Sequence, residues 1–169
     1  MRFTAISAAF ALMVLSVSTS LMAQRPDAQI DPRSAALVQE ARAAQASGNV
    51  EGANDLLESA LAVDPRNREA FVLLAEIARN RNLPGKAIRL YREALLLEPN
   101  DLAALRGQGE AMVAKGAMEK AKANLAKIKT ICTAGCNDAN VLAAAIAKGP
   151  PATVTTTASA GKPDETAKP

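Results

Sequence analysis

Histidine is absent from this sequence of 169 residues, and only two cysteines occur. Without histidine, the chain cannot form a Ser-His-Asp or Cys-His nucleophile, a histidine-containing zinc site or the attachment motif of c-type haem. Two cysteines alone make a poor zinc site. Gly107 and Gly109 are not followed by the lysine and the serine or threonine of a phosphate-binding loop. We therefore expect no catalytic residue, no metal and no cofactor, and the sequence does not predict an enzyme.

Aromatic residues and clustered charges are scarce as well. Aromatics make up 2% of the sequence, and after the N-terminal leader only Phe71 and Tyr91 remain, which argues against a base-stacking platform. The net charge is +3, and no run of five or more like charges occurs. Such a run would favour nucleic acid or an anionic membrane surface, so we expect no nucleic-acid partner.

Residues 1–23 have the pattern of a secretory signal peptide. Arg2 provides a short basic start, residues 8–15 are wholly apolar, and the segment ends at the small residue Ala23. An uncleaved membrane anchor is the alternative, but serine and threonine interrupt the run of about 20 apolar residues that a spanning helix needs. We expect cleavage after Ala23, no stable membrane insertion once the signal is removed, and a periplasmic or secreted protein.

One stretch of the sequence occurs twice, at an interval of thirty-four residues. The matched pairs are Ala53 and Ala87, Leu57 and Tyr91, Ala60 and Ala94, Leu61 and Leu95, and Pro65 and Pro99. A period of this length indicates a stacked helical repeat. Phe71, Leu74, Ala75 and Ala78 recur at helical steps and form one apolar face, and Pro84 suits the first turn of the next helix. Neither helix can bury its apolar stripe alone, so neighbouring units must stack.

This pattern resembles the tetratricopeptide repeat (TPR) family, specifically its exported bacterial-type members. The family places small residues at positions 8, 20 and 27, a large residue at position 24 and proline at position 32. The residues at these positions are Ala41, Ala53, Leu57, Ala60 and Pro65 in the first repeat, and Ala75, Ala87, Tyr91, Ala94 and Pro99 in the second. The third repeat has Gly109, Ala121 and Leu125, then departs at Ile128 and Thr133. The resemblance implies an all-α solenoid of helix-turn-helix repeats.

The domain organisation follows from these patterns. After the signal peptide, residues 24–33 form a polar lead-in, and residues 34–148 hold three TPR-like repeats and a C-terminal capping helix. The apolar stripe of that helix predicts its span as about Asp138 to Lys148. Residues 149–169 are rich in proline, threonine, alanine and lysine without periodicity, which predicts a disordered tail.

Cys132 and Cys136 bracket a turn where the third repeat lacks its proline. A structural disulfide is one interpretation, since such bonds form in oxidising compartments. The other is a thiol-disulfide exchange site, although redox sites of the thioredoxin type use a two-residue spacer in a βαβ fold. We favour the structural role, with Gly135 allowing the turn a backbone conformation that other residues resist.

The TPR resemblance also implies a concave groove formed by the first helix of each repeat. The inward positions are occupied by Val38, Arg42 and Gln45 in the first repeat, Glu69, Val72, Glu76 and Arg79 in the second, and Arg106, Glu110 and Val113 in the third. The family's carboxylate-clamp version requires lysine or asparagine at several of these positions. Those residues are absent here, so we do not expect a receptor for chaperone C-terminal tails.

The expected function is a non-enzymatic adaptor or scaffold in the cell envelope that binds another protein or peptide in this groove. Two alternatives remain open. The first is a periplasmic redox protein that uses Cys132 and Cys136. The second is a structural accessory of an envelope complex, which would make its contact through the convex face or the tail.

Overall fold

The computed structural model describes residues 29–133 and 135–151, and this part of the chain folds into α-helices without a strand. In chain order the helices are α1 (Pro32–Ala46), α2 (Val50–Val63), α3 (Arg68–Asn80), α4 (Pro84–Leu97), α5 (Leu102–Ala114), α6 (Met118–Ile131) and α7 (Asn137–Lys148). None of these described helices is long and apolar enough to cross a membrane. The predicted signal peptide, most of the lead-in and nearly all of the tail lie outside the described residues.

Short polar side chains set where several helices begin. Asn67 and Asp101 precede α3 and α5, and their side-chain oxygens accept hydrogen bonds from backbone N–H groups in the first turn. Asp31 does the same for α1, with Pro32 at the first helical position, where its missing N–H is not needed. The first helix therefore begins before Ser34, where the repeat pattern placed its start.

The helices form hairpins that stack in sequence. Helix α1 packs against α2, α3 against α4, and α5 against α6, while α7 packs against both α5 and α6. Each buried apolar cluster takes in one hairpin and the first helix of the following unit; in the last cluster α7 fills that role. The structure therefore confirms the predicted all-α solenoid with a C-terminal capping helix.

The alanines of the repeat pattern lie at the helix contacts. Ala53, Ala60, Ala87, Ala94 and Ala121 are all completely buried. A methyl group at these positions lets neighbouring helices approach closely and leaves little unfilled space between them. The family's small positions 20 and 27 are therefore packing positions in this chain.

Tyr91 of α4 packs across the interface between the second and third repeats. Its side chain is the largest fully buried one among the described residues, and it reaches Gly107 of α5. A Cβ atom built at Gly107 would overlap the Tyr91 ring, so the ring occupies the space that a side chain would need. Burial raises the pKa of Tyr91 to about 12, and the phenol therefore stays neutral at physiological pH.

A buried carboxylate ties the start of α1 to the end of α2. The backbone N–H of Asp31 donates to Oδ2 of Asp64 at 2.9 Å, and the backbone N–H of Arg66 donates to Oδ1 at 3.0 Å. These bonds, first that from Asp31 and then those from Arg66, hold the pKa of Asp64 below its usual value. The ionised form of Asp64 therefore stabilises this junction.

A second polar chain joins the first three helices inside the same junction. The side-chain amide of Asn67 donates to the Ser34 hydroxyl at 2.8 Å, and that hydroxyl donates to the carbonyl oxygen of Ala60 at 2.7 Å. Ser34 and Asn67 are both buried, so leaving either polar side chain without a hydrogen-bond partner would destabilise the fold. Because each donor must meet its acceptor, these two hydrogen bonds fix the orientation of the second repeat relative to the first.

Replacing Gly107 with alanine should disrupt the contact with Tyr91. We expect Gly107→Ala to lower the free energy of unfolding by about 1–3 kcal/mol, because the added methyl group overpacks the interface. Gly85→Ala in α4 is the matched control, since nothing lies within 4 Å of a Cβ atom there. Urea denaturation of the two variants measures the difference. Equal denaturation midpoints of the two variants would contradict this role of the contact between Tyr91 and Gly107.

Replacing Asp64 with asparagine should have an effect that depends on pH. The lowered pKa means that the stabilisation from Asp64 is present above the ordinary aspartate range and is lost as pH falls through the folded-state value. The destabilisation by Asp64→Asn, measured by urea denaturation, should therefore be larger at about pH 6 than at about pH 3. Asp55→Asn, at an exposed position of α2, is the control. A destabilisation of equal size at both pH values would rule out this role of the carboxylate.

Candidate functional site

The first helices of the three hairpins enclose a cavity of about 440 Å³. Its lining residues are Arg42, Arg68, Glu69, Val72, Leu73, Glu76 and Ala103, contributed by α1, α3 and α5. We call this cavity the inner groove. It brings together Arg42, Glu69, Val72 and Glu76 from the residues that the sequence singled out. Its floor combines apolar Val72 and Leu73 with charged side chains, and ligand pockets commonly combine apolar surface with a few polar groups in this way.

Three lining residues, Arg68, Leu73 and Ala103, are not among the predicted groove residues. Ala103 is the counterpart of Glu69 one repeat later, at a position that the TPR pattern places inward, so the signal for it was present. Arg68 and Leu73 each lie next to a predicted inward residue, Glu69 and Val72, but not at an inward position. Arg68 also forms an ion pair with Asp101 at the start of α5, which only the stacking of the hairpins brings close.

Most charges of the inner face are paired between successive first helices. Arg42 of α1 forms an ion pair with Glu69 of α3, and Arg79 of α3 forms one with Glu110 of α5. All four residues belong to the groove set predicted from the sequence. The structure shows that their charges are largely neutralised before any ligand arrives.

The pairing continues into the capping helix. Arg106 of α5 lies 3.8 Å from Glu110 on its own helix, and its Nε lies 2.7 Å from Oδ1 of Asp138 on α7. The carboxylates of Glu110 and Asp138 are therefore engaged in ion pairs with arginine side chains. Among the residues that the structure describes, no cluster of three or more potential metal-binding side chains is found.

Glu76 is the exception on the inner face. Its carboxylate is half-buried in α3, and within residues 29–133 and 135–151 it forms no ion pair. It lies between Val72 and Arg79 on the same helix face. The inner groove therefore offers one uncompensated negative charge beside an apolar surface.

The remaining predicted groove residues lie elsewhere. Val38 is 1% exposed and belongs to the cluster between the first three helices, so its side chain does not face a ligand. Gln45 is half-buried on α1 and does not line the inner groove. Val113 is buried, but together with Glu110 it borders a separate cavity of about 430 Å³ between α5 and the end of α7.

The two cysteines meet at the turn between α6 and α7. The Cα atoms of Cys132 and Cys136 are 5.9 Å apart, a separation that a disulfide spans, and the sulfur atoms face each other. Gly135 has a φ of +64°, a conformation that glycine adopts at low cost. The geometry suits the predicted disulfide, which itself stays a prediction.

This turn directs α7 onto the end of the array. Leu142 is fully buried with Ile128 and Leu105, and Leu125 packs against the same cluster. A Cβ atom at Gly109 would lie 2.6 Å from Leu142, so the small residue of the third repeat makes room for the cap. The cap thus covers apolar surface and also supplies Asp138 to the inner face.

Comparisons with known proteins identify the fold. No protein-family model matches the sequence, and no curated protein matches it. Among solved structures, the first TPR of Spaghetti (RPAP3) bound to the HSP90 peptide SRMEEVD superposes with a TM-score of 0.64 at 17% identity, covering 72% of this chain and 96% of that one. The Arabidopsis OM64 TPR domain superposes with a TM-score of 0.63 at 16% identity, and the match covers 69% of this chain and 95% of that domain. These likenesses show that the chain has the TPR fold.

A further similar structure is part of an enzyme. A mutant O-GlcNAc transferase from Thermobaculum terrenum superposes with a TM-score of 0.56 at 28% identity, covering 64% of this chain. The match spans 20% of the transferase chain. The similarity therefore concerns a minor part of that enzyme.

Removing the cysteine pair tests its structural role. The double variant Cys132→Ser with Cys136→Ser should lower the free energy of unfolding by up to about 2 kcal/mol, because a short disulfide loop restricts the unfolded chain. Reduced wild-type protein should match the variant. Two free thiols, found by non-reducing mass analysis of protein from an oxidising compartment, would refute the bond. Unchanged stability with loss of disulfide-exchange activity would instead support the redox alternative.

Proposed function

We propose that this protein is a non-enzymatic adaptor or scaffold that holds a peptide segment of another protein in the inner groove. The observation that carries this proposal is the cavity of about 440 Å³ lined by α1, α3 and α5. The size suits a few side chains of an extended segment, and Val72 and Leu73 provide apolar surface for one of them. The RPAP3 domain, which has the same fold, carries a bound HSP90 peptide.

The charges of the inner groove favour a different ligand from that acidic peptide. Arg42 and Arg68 are engaged by Glu69 and Asp101, so neither is available to clamp a carboxylate without losing its partner. Glu76 adds an uncompensated negative charge next to the apolar floor. We infer that the partner segment combines an apolar side chain with a basic residue directed to Glu76.

The proposed place of action is the cell envelope. The support is the secretory pattern of residues 1–23 and a cysteine pair whose spacing in the fold suits a disulfide. Export would bring the protein to a compartment in which that bond persists.

A photo-reactive amino acid placed at Val72 tests the groove directly. After irradiation of an envelope fraction, we expect a cross-linked partner peptide from Val72 but not from Ser59, an exposed position on α2. Glu76→Arg should abolish this cross-link through repulsion of the basic residue, whereas the matched change Glu58→Arg on α2 should preserve it. Mass spectrometry of the cross-linked peptide identifies the segment and its charge.

Two results would count against the proposal. Equal cross-linking from Ser59 and Val72 would place the contact outside the inner groove and favour the structural-accessory alternative. Tight binding of a peptide ending in Glu-Glu-Val-Asp, measured by calorimetry and lost in Arg42→Glu, would contradict the inferred ligand charge while retaining the groove as the binding site.

A further inference from the structure

A second recess lies among the second helices of the hairpins, between α4, α6 and the end of α5. Its volume is about 440 Å³, and it shares no residue with the inner groove. The side chains that define it are Arg89, Arg92, Lys115, Lys120, Ile88 and Met112. We call it the basic recess.

The rim of the basic recess carries four positive charges and no carboxylate. Arg92 lies 3.7 Å from Glu93, at a distance where an exposed pair contributes little. Within the described part of the chain, Arg89, Lys115 and Lys120 form no ion pair. Like charges around one recess raise its positive potential and attract an anionic group.

The repeat symmetry shows that the fold does not require a cation at two of these four positions. Thirty-four residues before Arg89 and Arg92, the first repeat has Asp55 and Glu58 at the equivalent positions of α2. The same structural positions thus carry opposite charges in successive repeats, and all four are exposed or partly exposed. Since packing accepts either sign at the positions of Arg89 and Arg92, we attribute the cations there, beside Lys115 and Lys120, to a ligand outside the fold.

The floor of the recess is apolar and held in place. Ile88 and Met112 are half-buried there, and a methionine side chain adapts readily to different apolar partners. Beside them, the side-chain amide of Gln108 donates to the Ile88 carbonyl at 3.3 Å and its oxygen accepts from Asn124 at 3.0 Å. These hydrogen bonds connect α4, α5 and α6, so the recess is a formed feature of the stacked repeats.

We propose that the basic recess binds an acidic peptide segment of a partner protein, with one apolar side chain inserted between Ile88 and Met112. The cations match carboxylates on both sides of that side chain, and the recessed floor matches its apolar body. A flat anionic membrane would meet the rim but not the floor, so the concave shape favours a peptide.

The experiment measures binding of the full chain to a fluorescein-labelled peptide containing Glu-Glu-Leu-Glu-Glu, by fluorescence anisotropy. Replacing the leucine of the peptide with serine should weaken binding several-fold, and replacing the glutamates with lysine should abolish it. Raising the salt concentration from about 50 mM to about 500 mM should weaken binding of the leucine peptide, because exposed charges are screened.

Paired variants locate the site. Arg89→Glu with Lys115→Glu should weaken binding at least about tenfold. Lys127→Glu with Lys129→Glu makes the same change in net charge at exposed positions of α6 outside the recess, and should keep the affinity within about twofold. Met112→Ala should weaken binding of the leucine peptide more than that of the serine peptide.

Several outcomes would overturn the proposal. Equal loss of affinity in both double-charge variants would show a general effect of net charge. Equal binding of the leucine and serine peptides would remove the role of the apolar floor. Self-association that disappears in Asp55→Arg would identify a second copy as the occupant. Binding to phosphatidylglycerol vesicles that depends on Lys115, without peptide binding, would identify a membrane surface instead.

Discussion

Close approach of helices at alanine is the constraint on which this structure depends. Each hairpin has an apolar stripe that it cannot cover by itself, so the first helix of the next unit must come near enough to exclude water. Ala53, Ala87 and Ala121 are completely buried in the stacked helices. Larger side chains there would separate the helices. The same spacing then allows a full-sized ring, Tyr91, to fill the gap opposite Gly107.

Stacking also creates the electrostatics of the inner face. The pairs Arg42–Glu69 and Arg79–Glu110 each join two first helices, so they depend on the separation that the alanines set. Such partly exposed pairs contribute little to stability. These ion pairs instead affect which ligand can bind, because a guanidinium group that already faces a carboxylate is less available to an acidic ligand. Glu76 stands out because the inner groove provides it with no such partner among the described residues.

Much of the fold was predictable because it is written in local patterns. The thirty-four-residue interval gave the repeat, the helical steps gave the helices, and the stripe around Leu142 gave the cap. The candidate site was predictable only in part. Arg42, Glu69, Val72 and Glu76 do line the inner groove, whereas Val38 is buried. Whether the side chain of Val38 faces the groove or the core depends on which helices pack beside α1, and the sequence pattern does not contain that information.

The sequence by itself determined the repeat length, the small positions at helix contacts and the absence of histidine chemistry, since each depends on residue type and spacing along the chain. The tertiary structure alone decided which charges of different helices meet. Arg68 reaches Asp101, Arg106 reaches Asp138, and Arg89 and Arg92 of α4 share a recess with Lys115 and Lys120 only after the helices have packed together. These distances follow from how the hairpins stack, and the helical periodicity that brings Arg106 near Glu110 on one helix does not encode them.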